Sequence, residues 1–340
     1  MVAYIREWVR VSENRNNIQN INFIDAMSNA GIYRDGDLST AIEVLLIFFE
    51  EAKAYPDKTY NLLVNDNDSE RIEILKKIAR RIRSSYAEVN NVHLIARECD
   101  VNEYLSQYNL FDKYIGHYNA ATILYVDPYN LSSVQFVRII GFLKQYYSEL
   151  IYNLFTSDYV RNGEDALKKC LGDIRIDDKE NLINHIEKEL KSTDKIKYVF
   201  SYEFHISTGL ELYRILFATP SLTGLEKLKD ALWDTFRGKQ FHRNFLEDQI
   251  SLFTPEQEEN DMLYIYAQDA RELLVKEMSG KIVGYTMIEA FLIERTMLKG
   301  THCIKHVIKP LIQSGIITKS NLNGKANYKK DMYLFKDVMA

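Results

Sequence analysis

Residues 121–133 read "ATILYVDPYNLSS", an apolar run that stops on Asp127, Pro128, Tyr129 and Asn130. A buried parallel strand ending at the mouth of a ligand site has this form. An ordinary strand running into a turn has it too, because Asp and Pro are favoured turn residues. The flanking segments decide what the run belongs to. Upstream, "IQNINFIDAM" (18–27) reads as a strand ending in Asp25, followed by a loop with Gly31 and Gly36. The strongly apolar "LSTAIEVLLIFFEEAKAY" (38–55) then reads as a buried helix that starts near Ser39. "YNLLVND" (60–66) is a second strand, and "DSERIEILKKIARRIRSSY" (68–86) spaces Ile72, Ile74, Leu75, Ile78 and Ile82 along one helical face. "NVHLIAREC" is a third strand, "VNEYLSQY" a helix, "SVQFVRIIGFLKQYY" a further helix after the fourth strand, and "ELIYNLF" a fifth strand. Strands alternating with helical patterns mean right-handed βαβ crossovers and a parallel α/β sheet covered on both faces.

After a charged helical stretch at about 163–193, "KIKYVFSYEFHI" and "LYRILFATP" follow one another with only "STGLE" between, which predicts an antiparallel hairpin. "LTGLEKLKDALWDTF" returns to helix, closing a first domain over 1–237. A linker region is expected at 238–260. From 261 to 340, short helices and a terminal strand pair, "IITKSNLNGKANYKKDMYLF", resemble a winged helix. Hydrophobic residues at 46% and charged residues at 27% describe a globular chain. The absence of any run of about 18 apolar residues argues against a membrane span. The charged N-terminus lacks the apolar stretch of a signal peptide, so the expectation is cytoplasmic. Cys99, Cys170 and Cys303 are too dispersed for a zinc site or a disulfide framework, and no metal is expected.

In an open α/β sheet, ligands bind beyond the carboxyl ends of the strands. There the sequence puts Asp25, Ser28 and Gly31 after the first strand and Asp66 after the second. Asp100 and Asn102 follow the third, and Asp127, Pro128 and Tyr129 the fourth. Any one of these acids has an ordinary reading as a helix cap; four in register suggest a site. A carboxylate after strand two can accept hydrogen bonds from ribose hydroxyls, one after strand three from an adenine amine, and a loop glycine lets backbone approach the ligand. "GIYRDGD" has no phosphate-binding glycine pattern, and a ring of acids repels pyrophosphate. S-adenosylmethionine, with a sulfonium, an ammonium and no phosphate, is the better match.

The chain resembles the three-Cys-motif partner proteins, a bacterial group with a methyltransferase-like Rossmann fold, over most of residues 20–236. "DAMSNAGIY" stands against the family's D-x-F-A-G-x-G-x-Y, "LSTAIE" against its G-S-P segment, "CDVN" against its GDxN-like element and "DPYN" against D-P-F/Y-G. "YRILFATPSLTGLEKLKDALW" is the most specific match. The resemblance implies a Rossmann-like class I methyltransferase sheet with a C-terminal winged helix, an S-adenosylmethionine cofactor and a three-Cys-motif protein partner. Three positions depart from the pattern: Met27 for Phe, Asn29 for Gly and Leu38 for the G-S-P glycine. "DPYN" also occupies the place of the amino-methyltransferase D-P-P-Y, in which the acid holds a target amine and the aromatic ring stacks on its base.

From residue 296 onward eight lysines face only Asp331 and Asp337. Lys305 and Lys309 lie in the expected recognition helix, and Lys325, Lys329 and Lys330 in the wing. A helix in the groove with a basic wing on phosphates binds duplex DNA or RNA; winged helices also serve as protein-contact modules, and Pro310 disturbs this helix. His205 is a candidate base or a structural strand histidine, and His242 and Arg243 fall in the linker. Two function classes remain open: an S-adenosylmethionine-dependent methyltransferase acting on a nucleic-acid base amine, and a non-catalytic binding protein that keeps the fold.

Overall fold

The computed structural model describes the chain except residues 34, 116–118, 206–210, 240, 243–253, 320–327 and 338–340; of residues 160–162, 241, 242 and 255 it describes only the backbone. Two compact units form, Met1–Ser221 and Leu222–Ala340.

In the first unit the elements are α1 (Val2–Glu13), β1 (Asn20–Asp25), α2 (Thr40–Ala52), β2 (Thr59–Asp66), α3 (Ser69–Ser84) and β3 (Val92–Glu98). They continue with α4 (Val101–Tyr104), α5 (Tyr108–Ile115), β4 (Ala120–Val126), α6 (Phe136–Gln145), β5 (Glu149–Leu154), α7 (Thr156–Leu171), α8 (Lys179–Lys191), β6 (Tyr198–His205) and β7 (Glu211–Thr219). The sheet of this unit is ordered β3-β2-β1-β4-β5-β7-β6. Strands β1 to β5 pair in parallel, and β7 runs antiparallel to both β5 and β6. The α/β alternation and the terminal hairpin of the sequence reading are therefore present. Helix α2 is buried along nearly its whole circumference, as its unbroken apolar run requires. Helix α3 buries a narrower stripe, Ile72, Leu75 and Ala79, and is capped by Asp68, which accepts from the N–H groups of Glu70 (2.9 Å) and Arg71 (3.3 Å).

Several expectations need correction. The single helix read over 101–108 is two, α4 and α5, broken where Ser106 and Gln107 turn the chain. Helix α1 was not anticipated. The chain divides before α9 (Leu222–Phe236) rather than after it, because α9 packs in the second unit: Trp233 Nε1 donates to Met297 O at 2.7 Å, and the buried Lys229 ammonium donates to the carbonyls of Ile293 and Thr296. The expected linker contains β8 (Phe241–His242) and the start of α10 (Pro255–Met278), a long helix opened by a Thr254–Gln257 capping box. Leu263, Ala267, Ala270, Leu274 and Met278 form its buried stripe. Arg243 lies outside the described residues.

The second unit continues with β9 (Ile282–Gly284), α11 (Tyr285–Arg295), the short α12 (Gly300–His302), a π-helical segment Cys303–Ile308, α13 (Lys309–Gln313), β10 (Ile317–Lys319) and β11 (Met332–Phe335). Its strands form a small antiparallel sheet ordered β10-β11-β9. Pro310 is accommodated rather than disruptive. Its missing N–H falls in the first turn of α13, and the wider π-helical turn precedes it. Among the described residues no helix is long and apolar enough to cross a membrane.

Candidate functional site

The chain lays β1, β2 and β3 outward in one direction and then returns to place β4 on the other side of β1. The switch point therefore lies between β1 and β4, where ligands of such sheets bind. Asp25 closes β1 opposite Val64 of β2 and Tyr125 of β4; Asp66 and Asp127 each stand two residues beyond those partners. Three carboxylates thus converge on one stretch of the sheet edge.

Asp25 is buried, and that burial, followed by the charges of Asp127 and Asp66, pushes its carboxyl up to about 8 against the opposing Met27 N–H bond (3.1 Å). Burial also raises Asp127, opposed by hydrogen bonds from Asn153 Nδ2 (2.7 Å) and Tyr125 OH (3.1 Å). The Asn153 amide oxygen is buried without a hydrogen-bond partner beside that carboxylate. Tyr33 is 45% exposed, and its phenol is raised by burial and then by the charges of Asp127 and Asp25. Among the described residues, the groups that act on Asp25 and Asp127 are carboxylates, hydrogen-bond donors and burial.

The β1 loop is built for close approach. Asn29 has φ 57, the left-handed region that asparagine tolerates better than most residues; its Oδ1 accepts from Ala30 N at 2.8 Å. Gly31 has φ 85, and a Cβ there would come within 2.9 Å of Ile42 Cγ1. Ser28 is buried, bonding Asn65 O through N (2.8 Å) and Oγ (3.2 Å). Leu38 bridges to Ile32 and closes the loop at its base. Asn29 therefore takes a backbone conformation that glycine adopts readily.

Other expected ligands are already engaged within the protein. Asp66 accepts from Asn29 N (3.1 Å) and Asp68 N (3.0 Å), and lies 3.6 Å from Arg71. Asp100 caps α4, taking Asn102 N (2.8 Å) and Glu103 N (3.4 Å) on the same oxygen, Oδ1. Asn102 ties the β3 end to the loop after β4, accepting from Gln135 N at 2.7 Å. Pro128 is buried, while Tyr129 is 52% exposed and is held by Arg71, whose guanidinium bonds its hydroxyl and sits 5.5 Å from its ring centroid. His205 pairs with Glu203 at 2.9 Å.

Sequence reasoning missed Tyr33, Arg71, Tyr125 and Asn153. Asn153 was visible as a polar residue within the apolar "ELIYNLF". Arg71 looked like one charge among many on α3. In the second unit Lys305, Lys309, Lys329 and Lys330 are exposed, Lys309 Nζ lying 5.5 Å from the Tyr328 ring centroid; Lys325 lies outside the described residues.

No protein-family model matches the chain, and no curated protein matches it. Among solved structures it is similar to two of the methyltransferase domain of bacterial CtHen1. One is 11% identical over 65% of this chain and 97% of that one, with a TM-score of 0.36; the other is 8% identical over 64% and 97%, with a TM-score of 0.35. It is also similar to a Listeria monocytogenes protein (lmo1582) proposed to be a class I S-adenosylmethionine-dependent methyltransferase, at 8% identity over 64% of this chain and 59% of that one, with a TM-score of 0.30. All three similarities are remote, and the reading of the strand ends rests on their own geometry.

Proposed function

We propose that the first unit is an S-adenosylmethionine-dependent methyltransferase acting on a nucleic-acid base amine, together with a three-Cys-motif partner protein. The observation that carries this reading is the convergence of Asp25, Asp66 and Asp127 at the switch point, where burial and then the neighbouring carboxylates raise Asp25. Such a place attracts an organic cation. The left-handed Asn29 and Gly31 leave a loop that a nucleoside can approach. Asp66, with lone pairs beyond the two backbone bonds it accepts, would hold the ribose, and Asp100 Oδ2, which carries neither capping bond, the adenine amine. When bound, the cofactor supplies an electrophilic methyl group. Asp127 would accept a hydrogen bond from an incoming amine, with Asn153 holding its carboxylate. The exposed Lys305, Lys309, Lys329 and Lys330 of the second unit support nucleic acid as the substrate. A non-catalytic binding protein is the second reading, favoured by Arg71 holding the Tyr129 ring that would otherwise stack on a base.

Calorimetric titration with S-adenosylmethionine tests the proposal. The expected result is saturable binding that Asp66→Ala weakens by about 1.5 to 3 kcal/mol, the range for hydrogen bonds to a charged group. No binding at millimolar ligand would overturn the cofactor assignment and leave the binding-protein reading.

A further inference from the structure

The edge of the sheet away from the hairpin is β3. Among the described residues no strand pairs with its outer side, and α3 packs against it. Between them lies a cavity of about 300 Å³ with an apolar floor of Leu45, Phe49, Ala79, Leu94 and Ala96, rimmed by Lys76, Arg80 and Arg83. Asn91 O accepts from Tyr60 N of β2 at 2.9 Å. Backbone groups alternate along a strand, so those of Val92, Leu94 and Ala96 turn to the open edge. Val92 O is taken by Arg83; the N–H and C=O groups of Leu94 and Ala96 face outward beside the cavity.

We propose that this edge is a docking site for an extended acidic peptide of a partner protein, added as a strand to β3 with alternate apolar side chains in the cavity. Three features select this occupant. An unpaired edge offers main-chain hydrogen bonds to an extended segment. The apolar floor takes every second side chain, since successive residues of a strand point to opposite faces. The rim is cationic: Lys76 and Arg80 share the single acid Glu73, at 2.9 and 3.8 Å, and Arg97 stands exposed on the other face of β3. A second copy of this chain paired through β3 would instead bring these cations together, which disfavours a homodimer by this edge. The cavity lies two strands from β1 and does not depend on the methyltransferase reading.

The probe is a fluorescent peptide of alternating glutamate and valine, roughly eight residues long to match a strand, read by anisotropy on the full chain. Tight, salt-sensitive binding is expected, with a loss of about tenfold or more in the exposed double variant Lys76→Glu/Arg80→Glu and none seen with a lysine–valine peptide. Two further peptides carry N-methyl groups on alternate residues, one in each register; a strand mode predicts that one register loses binding and the other keeps it. Absence of binding by the parent protein overturns the proposal. Equal binding of both N-methylated peptides overturns it too, because the edge would then be a nonspecific polyanion patch. Concentration-dependent dimers in sedimentation, abolished by the glutamate–valine peptide, would make a second copy the occupant and likewise overturn it.

Discussion

Buried acids stand at both ends of the main sheet, and their surroundings differ. At the end where β4 and β5 begin, Glu149 is pushed by burial up to about 7, but Tyr4 OH and Thr219 Oγ1 (2.8 Å) both donate to it. Nearby on the same edge, Tyr60 OH donates to Glu13 at 2.6 Å, so both carboxyls anchor α1 across the strand starts. At the opposite end Asp25 receives one backbone N–H and faces two further carboxylates. A raised acid is therefore not in itself the mark of a site. What differs is the neighbours: two hydroxyls hold Glu149, whereas burial and then two carboxylates raise Asp25.

The difference makes its largest prediction through Asp25. Its folded-state value of about 8 lies above the ordinary 3.8, so its stabilising contribution is fully present below about 3.8 and is lost as pH rises through 8. The ceiling on this loss is about 6 kcal/mol. Denaturant melts of Asp25→Asn should show a stability advantage over the parent that grows from pH 4 to pH 8. The same ionisation should strengthen S-adenosylmethionine binding as pH rises through 8. A pH-independent difference between the two proteins would place Asp25 with the structural acids.

Asp127→Ala comes next. Methyl transfer to a nucleic-acid substrate should fall by a hundredfold or more, on the order expected for a positioned acid–base group, with cofactor affinity within about tenfold. Equal loss of both, in turnover and calorimetry, would put Asp127 in the cofactor site. At the other end of the sheet Tyr4→Phe should cost about 1 to 3 kcal/mol of stability by leaving Glu149 Oε2 unpaired, with turnover unchanged; a loss of turnover would erase the contrast between the two ends.

The smallest effect belongs to the second unit. Neutralising Lys329 and Lys330 together should flatten the slope of log K against log salt for duplex DNA by about two. Binding identical to the parent at every salt concentration would make this unit a protein-contact module.

The division between the two kinds of information is visible in particular residues. Periodicity in "LSTAIEVLLIFFEEAKAY" and "YNLLVND", and the short "STGLE" between two strand-like runs, fixed the α/β alternation and the hairpin, because both depend on neighbours a few residues apart. Acids at strand ends were equally legible, since each ends its own apolar run. Spacing along the chain does not carry which acids meet. Asp25 and Asp127 are brought together only because β4 returns beside β1, and Asp100, also near a strand end, caps α4 instead. The same holds for Asn29: sequence shows a missing glycine, while the left-handed backbone that preserves the loop is imposed by the Asp66 carboxylate on its N–H and by Ser28 on Asn65. Helix α9 joined the second unit for the same reason, its amphipathic pattern being equally suited to either core until Trp233 and Lys229 found their carbonyls. Local pattern determines elements; the tertiary structure decides partners, because hydrogen bonds and charges between distant residues exist only after the chain has closed.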